Sequence, residues 1–414
     1  MLRLPPALRY RPFTLLWLGL LVSVAGSQMQ TAALLWHLRE LSDQPIVVSG
    51  IGLARFLPIL LLAPFGGVLA DTRNRRQILF ITQTTMMATA AALGVLTVTG
   101  QIQIWHIYLL TGLQATALAF DLPARQSLVP NLVPREVLPS AYGMQSIASN
   151  TGAIAGPALS GLVIGYLGQE YAYWINAVSF LAVLIALVLM GTIPQQKSVV
   201  VEGLRGSLSS IREGAQFILG HPIILSSMIL DFIATFFSSA NTLLPFVARD
   251  VLGVNEVAYG WLVAAQSIGA VMVGLVFSQR SRVQRQGQLL LVAVAAFGLA
   301  TVTFGLARTY WGALLALVLV GAGDSISTIL RNTIRQLQTP DYIRGRKVGI
   351  NQVFFQGGPQ LGEIEAGLAA QAFGTPFAIV SGGLACMVGV GLVALRWPQL
   401  SRYNGEEAQP AHAD

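Results

Sequence analysis

Six charged side chains lie within runs of apolar residues that are long enough to cross a lipid bilayer, one of them, Asp121, at the inner end of its run. A charge near the middle of a membrane costs about 2.5–3.5 kcal/mol on insertion scales, so each of these residues is a candidate functional group. A carboxyl group in such a place can change its protonation state as a cavity opens to one side and then to the other, which proton coupling requires. The six residues are Arg55, Asp121, Asp231, Asp324, Glu363 and Glu365.

Glu363 and Glu365 stand two residues apart in one apolar run. Two residues correspond to about 200° around a helix, so the two carboxyl groups cannot share one face. At most one of them points into a central cavity, and the other must meet a neighbouring helix. If an arginine lies within reach, the pair serves either proton coupling or a static ion pair, and both interpretations stay open.

The composition explains why these charges must be placed in a membrane. Of the 414 residues, 54% are hydrophobic and 10% are charged, whereas soluble domains carry about 25% charged residues. Apolar segments of about 20 residues cross the hydrocarbon core as helices. The sequence predicts twelve such spans: 13–36, 46–70, 78–99, 105–122, 140–167, 171–191, 223–247, 257–278, 289–307, 311–330, 348–373 and 376–395.

The net charge of +7 comes from Lys and Arg residues in the short loops between the spans. This distribution indicates membrane topology and not a nucleic-acid partner. Of the 25 Lys and Arg residues, 21 fall on the side of the N-terminus, three on the opposite side, and Arg55 inside a span. We therefore expect both termini and the central loop to lie in the cytoplasm, with the first span retained in the mature protein.

The two halves of the chain repeat each other. The segment from Arg125 to Gly168 aligns without gaps to the segment from Arg331 to Gly374, at a constant offset of 206 residues. Glu363 then occupies the position that Pro157 has in the first half. Internal repeats of this kind are typical of transporters, with the substrate site near the midplane between the halves. The predicted domains are a six-helix half (1–191), a cytoplasmic loop (192–222), a second six-helix half (223–397) and a disordered cytoplasmic tail (398–414).

The loop between the second and third spans has the sequence GVLADTRNRR. It resembles the loop signature of major facilitator transporters, a glycine followed by an aspartate and a basic cluster, although Thr72 and Asn74 depart from it. We expect the glycine to allow close helix approach and the aspartate to accept backbone N–H groups or pair with arginine. The resemblance implies a gating loop formed by Gly67, Asp71, Arg75 and Arg76.

The fifth span carries glycines at a spacing that resembles the antiporter motif of drug–proton exporters in the same superfamily. Glycines let helices approach closely, and a proline bends a helix by removing a backbone hydrogen bond. The motif favours export, and the alternative is ordinary packing of small residues. Its residues are Gly143, Gly152, Gly156, Pro157 and Gly161, with Ser160 in place of one glycine.

The whole chain resembles a major facilitator transporter, and within that superfamily the bacterial branch of the enterobactin exporter and macrolide efflux proteins. The segments that carry the resemblance are ARFLP (54–58), GGVLAD (66–71), DLPARQSLVPNLVP (121–134), LLPFVARDVLG (243–253), QLQTPDYIRGR (336–346) and LGEIEAG (361–367). The resemblance implies an all-α fold of twelve transmembrane helices in two pseudo-symmetric halves, a bacterial inner membrane, and proton-driven export of an amphipathic small molecule such as a siderophore or drug.

The same resemblance assigns roles to the buried charges. Asp231, Asp324 and Gln28 are expected to line the substrate cavity, with the two aspartates serving cargo or protons. The second and eleventh helices meet at the interface between the halves in this superfamily, so Arg55 is expected to reach Glu363 or Glu365. Two pairs are expected to be structural pairs at the cytoplasmic rim: Asp121 with Arg125, and Asp324 with Arg331.

Other functions find less support in the sequence. An importer or a lysolipid flippase of the same fold is the alternative within transport. A membrane enzyme would need a nucleophile, a metal site or an acid–base cluster, and a receptor would need a signalling domain. The chain has one cysteine and no phosphate-binding loop, so we expect no metal, no cofactor and no catalytic residue. The expected partners are a small-molecule substrate, protons and the lipid bilayer, with the chain acting as a monomer.

Overall fold

The computed structural model describes residues 5–191, 193, 216, 218–239, 241–279, 283–338 and 341–405, and of residues 64, 71 and 341–356 it describes the backbone alone. Helices account for 88% of these residues, among which there is no strand. The prediction of an all-α fold is therefore confirmed. Most of the predicted central loop 192–222 and the tail beyond residue 405 lie outside the described residues.

Twelve long helices follow one another through the described ranges, and we number them α1 to α12. Eleven are long and apolar enough to cross a membrane by themselves or with the turns that adjoin them; the other is α11, part of whose side chains are undescribed. Their bounds are α1 Arg11–Leu41, α2 Ile51–Thr72, α3 Arg75–Val98, α4 Ile104–Leu128, α5 Leu138–Tyr166, α6 Gln169–Leu189, α7 Pro222–Phe237, α8 Glu256–Ser278, α9 Gln286–Leu306, α10 Tyr310–Leu337, α11 Asp341–Phe373 and α12 Thr375–Arg396.

The chain divides into two compact units. Unit 1 comprises Met1–Val201 and Gly253–Ala264, and unit 2 comprises Glu202–Leu252 and Ala265–Asp414. The first part of α8 thus belongs to unit 1. The predicted halves 1–191 and 223–397 stay a prediction, because the boundary between them falls mostly among residues outside the described ranges.

Each unit packs its helices in the same order. In unit 1, α1 packs against α5 and α6, α3 against α4 and α6, and α2 against α4. In unit 2, α7 packs against α11 and α12, and α9 against α10 and α12, while Gly269 of α8 meets Val318 of α10. Adding six to each helix number of unit 1 gives the pairs of unit 2. The internal repeat in the sequence therefore has a counterpart in the packing.

Close packing between helices depends on small residues. A Cβ atom on Gly152 or Gly156 of α5 would lie 2.6 Å from atoms of α1, and one on Gly362 of α11 would lie 2.2 Å from the carbonyl oxygen of Phe236 in α7. Lipid supplies no hydrophobic force between helices, so close van der Waals contact at such residues contributes a large part of the association.

The seventh span differs from its prediction as one continuous helix over 223–247. Helix α7 ends at Phe237, and the chain continues through the short helical segments Asn241–Leu243, Leu244–Phe246 and Val247–Val251. Ser238 and Ser239 stand at the end of α7. Serine side chains compete for backbone hydrogen bonds and are poor helix formers, which explains why a helix ends here.

The prediction that the chain is disordered from residue 398 onward is wrong for its first part. Residues Pro398–Arg402 form a short helix, and Leu400 is fully buried in the core of unit 2. The carbonyl oxygen of Tyr403 accepts a hydrogen bond from the backbone N–H of Gly287 at 3.0 Å. Asn404 accepts another from the N–H of Arg285, a residue held at φ 52°. These contacts fix the segment against the start of α9.

Candidate functional site

The most deeply buried charges of unit 2 form one cluster between α7 and α10. Asp231 of α7 lies with its Oδ1 atom 2.6 Å from Nη1 of Arg331, and its Oδ2 atom accepts a hydrogen bond from Nη2 of Arg335 at 2.9 Å. Arg331 and Arg335 are four residues apart on α10, so they share one face of the helix. All three side chains are no more than 6% exposed. One carboxylate therefore bridges two buried guanidinium groups.

A fourth charge joins this cluster and is accessible. The side chain of Asp324 lies on α10, with its Oδ1 atom 3.7 Å from Nη2 of Arg331, and it is 50% exposed. With Asp324 ionised, the formal charges of the four residues sum to zero. Asp324 is 14 residues from the start of α10, about 21 Å along the helix and therefore near its middle.

The cluster changes two expectations about α10. The sequence paired Arg331 with Asp324 at the rim, whereas the structure places Asp231 closer to Arg331. The span was also predicted to end at residue 330, and Arg335 was counted as a loop residue that indicates topology. The helix continues to Leu337, which places Arg335 inside it. The four-residue spacing of the two arginines was the signal that could have identified Arg335.

Unit 1 contains a buried carboxylate with several partners. Asp121 of α4 is fully buried and forms an ion pair with Arg125 one turn later. Its Oδ2 atom also accepts hydrogen bonds from Thr82 Oγ1 at 3.0 Å and Gln83 Nε2 at 2.7 Å, both on α3. A buried carboxylate is stable only with such partners. Asp121 therefore links α3 to α4 through its hydrogen bonds.

Two arginines at the start of α3 bind backbone carbonyl groups near the ends of other helices. Arg75 donates from Nε to the carbonyl oxygen of Ala70 at 3.1 Å and from Nη1 to that of Ser127, near the end of α4, at 3.0 Å. Arg76 donates from Nε to the carbonyl oxygen of Leu187, near the end of α6, at 2.6 Å. The last carbonyl groups of a helix lack partners within it and carry partial negative charge, so these contacts are favourable.

The glycine of the loop signature does not have the role that the sequence assigned. A Cβ atom on Gly67 would meet nothing within 4 Å, whereas one on Gly66 would lie 2.2 Å from the carbonyl oxygen of Ala119. Gly66 is therefore the residue that brings α2 close to α4. The side chain of Asp71 lies outside the described residues.

The glycine motif of α5 divides into packed and open positions. Gly152 and Gly156 face α1, where Gly156 lies against the Cβ atom of Gln28. A Cβ atom on Gly161 would lie 2.6 Å from the carbonyl oxygen of Glu256 and 3.0 Å from Cα of Gly260, both in α8. Gly143 faces open space, so close packing does not explain it. Pro157 is buried inside α5, and its carbonyl oxygen lies next to Gly260.

The two glutamates of α11 differ in exposure. Glu363 is 7% exposed and Glu365 is partly buried, in accordance with their positions on different faces. The neighbouring Gly362 packs on α7. Arg55, on α2, is partly buried and belongs to unit 1, whereas the glutamates belong to unit 2. The pairing of Arg55 with either glutamate therefore stays a prediction.

A polar network that the sequence analysis missed crosses unit 1. Gln30 of α1 donates to Oε1 of Gln114 in α4 at 3.0 Å and accepts from Nδ2 of Asn176 in α6 at 2.6 Å. Ser179 donates to Oδ1 of Asn176 at 3.0 Å. The signal in the sequence is the presence of amide side chains inside apolar spans.

Comparisons with known proteins agree with this architecture. A model of the transmembrane secretion effector family matches residues 4–412. The multidrug efflux pump Tap of Mycolicibacterium fortuitum is 26% identical over 400 residues, which cover 94% of this chain and 96% of the pump. The enterobactin exporter EntS of Citrobacter koseri is 27% identical over 340 residues, which cover 82% and 80% of the two chains.

Solved structures show the same fold at lower identity. A bacterial homologue of the human lysosomal transporter Spinster superposes with a TM-score of 0.73 at 16% identity, over 97% of this chain and 99% of that one. A D-xylose–proton symporter superposes with a TM-score of 0.68 at 13% identity, over the same shares of the two chains. The chain is a multi-pass membrane protein that belongs to the transmembrane secretion effector family of major facilitator transporters.

Proposed function

We propose that this secondary transporter is a proton-coupled exporter of an amphipathic small molecule, such as a siderophore or a drug. The efflux pump and exporter among its relatives support the direction of transport. The observation that carries the proposal is the buried cluster of Asp231, Arg331 and Arg335 with the half-exposed Asp324 beside it. Charges at this depth are costly to keep, and in membrane proteins they mark ion and substrate pathways.

The two aspartates of the cluster have different roles in this proposal. Asp231 is held by two guanidinium groups, and it anchors α7 to α10. Asp324 is near enough to Arg331 to interact with it and is open enough to receive a ligand. We assign to Asp324 the exchange between a proton and a polar or cationic group of the cargo. Because the proton and the cargo group compete for one carboxylate, binding of cargo releases the proton. Antiport requires this competition.

Glu363 and Glu365 supply the second part of the coupling. Each is an ionisable group on α11, and their different burial gives them different access to protons. One of them with Arg55 forms either a proton-coupling pair or an ion pair that stabilises one state of the transport cycle. We also assign to Gln28 of α1 a role in binding cargo.

The contacts of the gating elements fit alternating access. Gly161 and Gly260 bring α5 and α8 together without interlocking side chains, so this contact can form and break at low cost. Arg75 and Arg76 tie together the ends of α2, α4 and α6, which keeps these helices moving as one body. We place the protein in the bacterial inner membrane as a monomer, with its basic loops and both termini in the cytoplasm.

The test is cargo-induced proton movement in inside-out membrane vesicles that are energised by respiration. A panel of siderophores and lipophilic drugs is added while a fluorescent amine reports the pH gradient. We expect at least one compound to dissipate the gradient only in vesicles that contain the protein, and to accumulate inside them. Accumulation without any change in the pH gradient would refute proton coupling. Movement of the compound out of the vesicles, in place of accumulation inside them, would refute the direction.

A further inference from the structure

A groove on the surface of unit 1 stands apart from the charged residues discussed above. It has a volume of about 680 Å³ and lies between α1, α5 and α6. Its rim is formed by branched apolar side chains that remain exposed in the complete chain, Val22, Leu159, Val178 and Ile185. Its floor includes Met29, Gly26 and Ser179, which are buried. Pockets that bind small molecules have volumes of about 300–1,000 Å³, so the groove is large enough to hold a ligand.

The position of the groove identifies the medium that covers it. Its residues on α6 extend from Ile175 to Ile185, about 15 Å along the helix, and they occupy the middle of that span. The hydrocarbon core of a bilayer is about 30 Å thick, so the groove is about as long as one leaflet is deep. A rim of exposed apolar side chains on membrane-spanning helices is continuous with the surface that faces lipid.

The contents of the floor explain why the groove must be filled. Ser179 lies on the floor and donates a hydrogen bond to Asn176, which in turn donates to Gln30. These polar groups satisfy one another within the hydrocarbon layer. Water in the groove would compete for them, whereas an apolar chain would keep the network dry and would supply the van der Waals contacts that an empty groove lacks.

We propose that the groove between α1, α5 and α6 is a binding site for one acyl chain of a membrane phospholipid. The lining is apolar apart from the hydroxyl groups of Ser179 and Thr151 and the backbone at Gly26, and it offers no charge to a headgroup. The site selects by chain shape and not by headgroup. The bound chain packs on α1, the helix that carries Gln28 and Gln30, and covers the floor that contains Ser179.

Photo-crosslinking of the full-length protein in lipid vesicles tests this site. The vesicles contain phosphatidylethanolamine and phosphatidylglycerol with a small fraction of phosphatidylethanolamine that carries a diazirine at the end of one acyl chain. After irradiation, mass spectrometry locates the adducts. We expect adducts on groove residues of α1 and α6 to exceed those on Leu384, Val388 and Leu392, which form an exposed apolar face of α12. Equal yields per residue on both surfaces would overturn the proposal.

Two variants sharpen the test. Ala25 and Ala182 line the groove, so the double substitution Ala25→Phe and Ala182→Phe fills it. We expect the groove adducts to fall by about tenfold, which is the change expected if the acyl chain buries two methylene groups fewer. Val188→Phe adds the same ring at an exposed position of α6 that does not line the groove, and it should leave the yield unchanged. Retained groove adducts in the filled variant would contradict the proposal.

A competitor distinguishes lipid from cargo in the same groove. The lipophilic cation tetraphenylphosphonium is added before irradiation. If a phospholipid chain occupies the groove, the groove adducts and the α12 adducts change in the same proportion. Selective loss of the groove adducts would show that the groove is an entry site for lipophilic cations, and the assignment to a lipid chain would be wrong. Neither outcome depends on proton coupling at Asp324.

Discussion

Asp231 of α7 accepts a hydrogen bond from Arg335 of α10 at 2.9 Å, in a site that excludes nearly all solvent from both side chains. Arg331 reaches the other oxygen of the same carboxylate. The relationship links two helices of unit 2 by charge and leaves one positive charge to be balanced by Asp324. The transport proposal depends on this arrangement, and so does the expected stability of the unit.

Removing Asp231 should destabilise the protein strongly. Asp231→Ala leaves two buried guanidinium groups without this carboxylate, and breaking a buried ion pair from one side costs about 3–5 kcal/mol. Thermal unfolding of the purified variant in detergent would measure the loss. Asp324→Asn is the control, because Asp324 is half exposed and water screens its interaction with Arg331. Equal thermal stability of Asp231→Ala and the wild type would contradict the assigned geometry.

Two ion pairs with the same four-residue spacing should differ in their contribution to stability. Asp121 is fully buried beside Arg125, whereas Asp43 is 91% exposed beside Arg39. We expect Asp121→Ala to cost about 3–5 kcal/mol, because Arg125 and the donors on α3 lose their acceptor, and Asp43→Ala to change stability by no more than about 1 kcal/mol. Parallel unfolding curves would measure both, and similar losses would show that burial does not decide the difference.

Substitutions at two glycines of α5 should have opposite effects. Gly161→Ala places a methyl group 2.6 Å from the carbonyl oxygen of Glu256, and overpacking of this kind costs about 1–3 kcal/mol. Gly143 lies within α5, and a Cβ atom there would meet nothing within 4 Å. Gly143→Ala should therefore stabilise the helix by about 0.5–1 kcal/mol, because alanine loses less backbone entropy than glycine. The difference in melting temperature between the two variants measures this. A stabilising Gly161→Ala would refute the close contact between α5 and α8.

The loop arginines predict a difference between neighbouring positions. Arg76→Met keeps an unbranched side chain but removes the hydrogen bond to the carbonyl oxygen of Leu187, and we expect a loss of about 1–2 kcal/mol. Arg73→Met, at an exposed position in the connection before α3, should change stability by less than about 0.5 kcal/mol. Chemical unfolding in mild detergent compares the two. If both variants lose the same stability, the loop acts through its total charge and not through the ends of the helices.

The membrane fold could be predicted from the sequence because apolar run length and glycine spacing are strong local signals. Each of the twelve runs overlaps one of the helices α1 to α12, although the seventh run is interrupted after Phe237. The ends were less predictable: polar residues can continue a helix, and for this reason Arg331 and Arg335 were placed outside α10. The burial of Leu400 and Tyr403 was missed because a short segment shows no period, and its docking site on α9 is distant in sequence.

The charged cluster was predicted in part: Asp231, Asp324 and Arg331 were named as candidates, but Arg335 and the contacts of Asp231 with the two arginines were not. A charged residue within an apolar span is easy to recognise in a sequence, because its insertion into a membrane costs free energy. This signal identified Asp231 and Asp324. Their partners depend on the rotation of α7 against α10, and the sequence does not encode that rotation in any local pattern. Gly67 was named because it is the glycine of the loop signature, and only the packed structure shows that the adjacent Gly66 faces α4.

The most direct test of proton-coupled export is proton flux in vesicles that contain the purified protein, with the wild type compared with Asp324→Asn, Glu363→Gln and Glu365→Gln. For a compound that the wild type exchanges for protons, we predict that Asp324→Asn loses the proton flux while it still exchanges cargo for cargo across the vesicle membrane. Loss of proton flux in a glutamate variant as well would place that glutamate in the same pathway. Proton flux at the wild-type level in all three variants would contradict coupling through the carboxylates of unit 2.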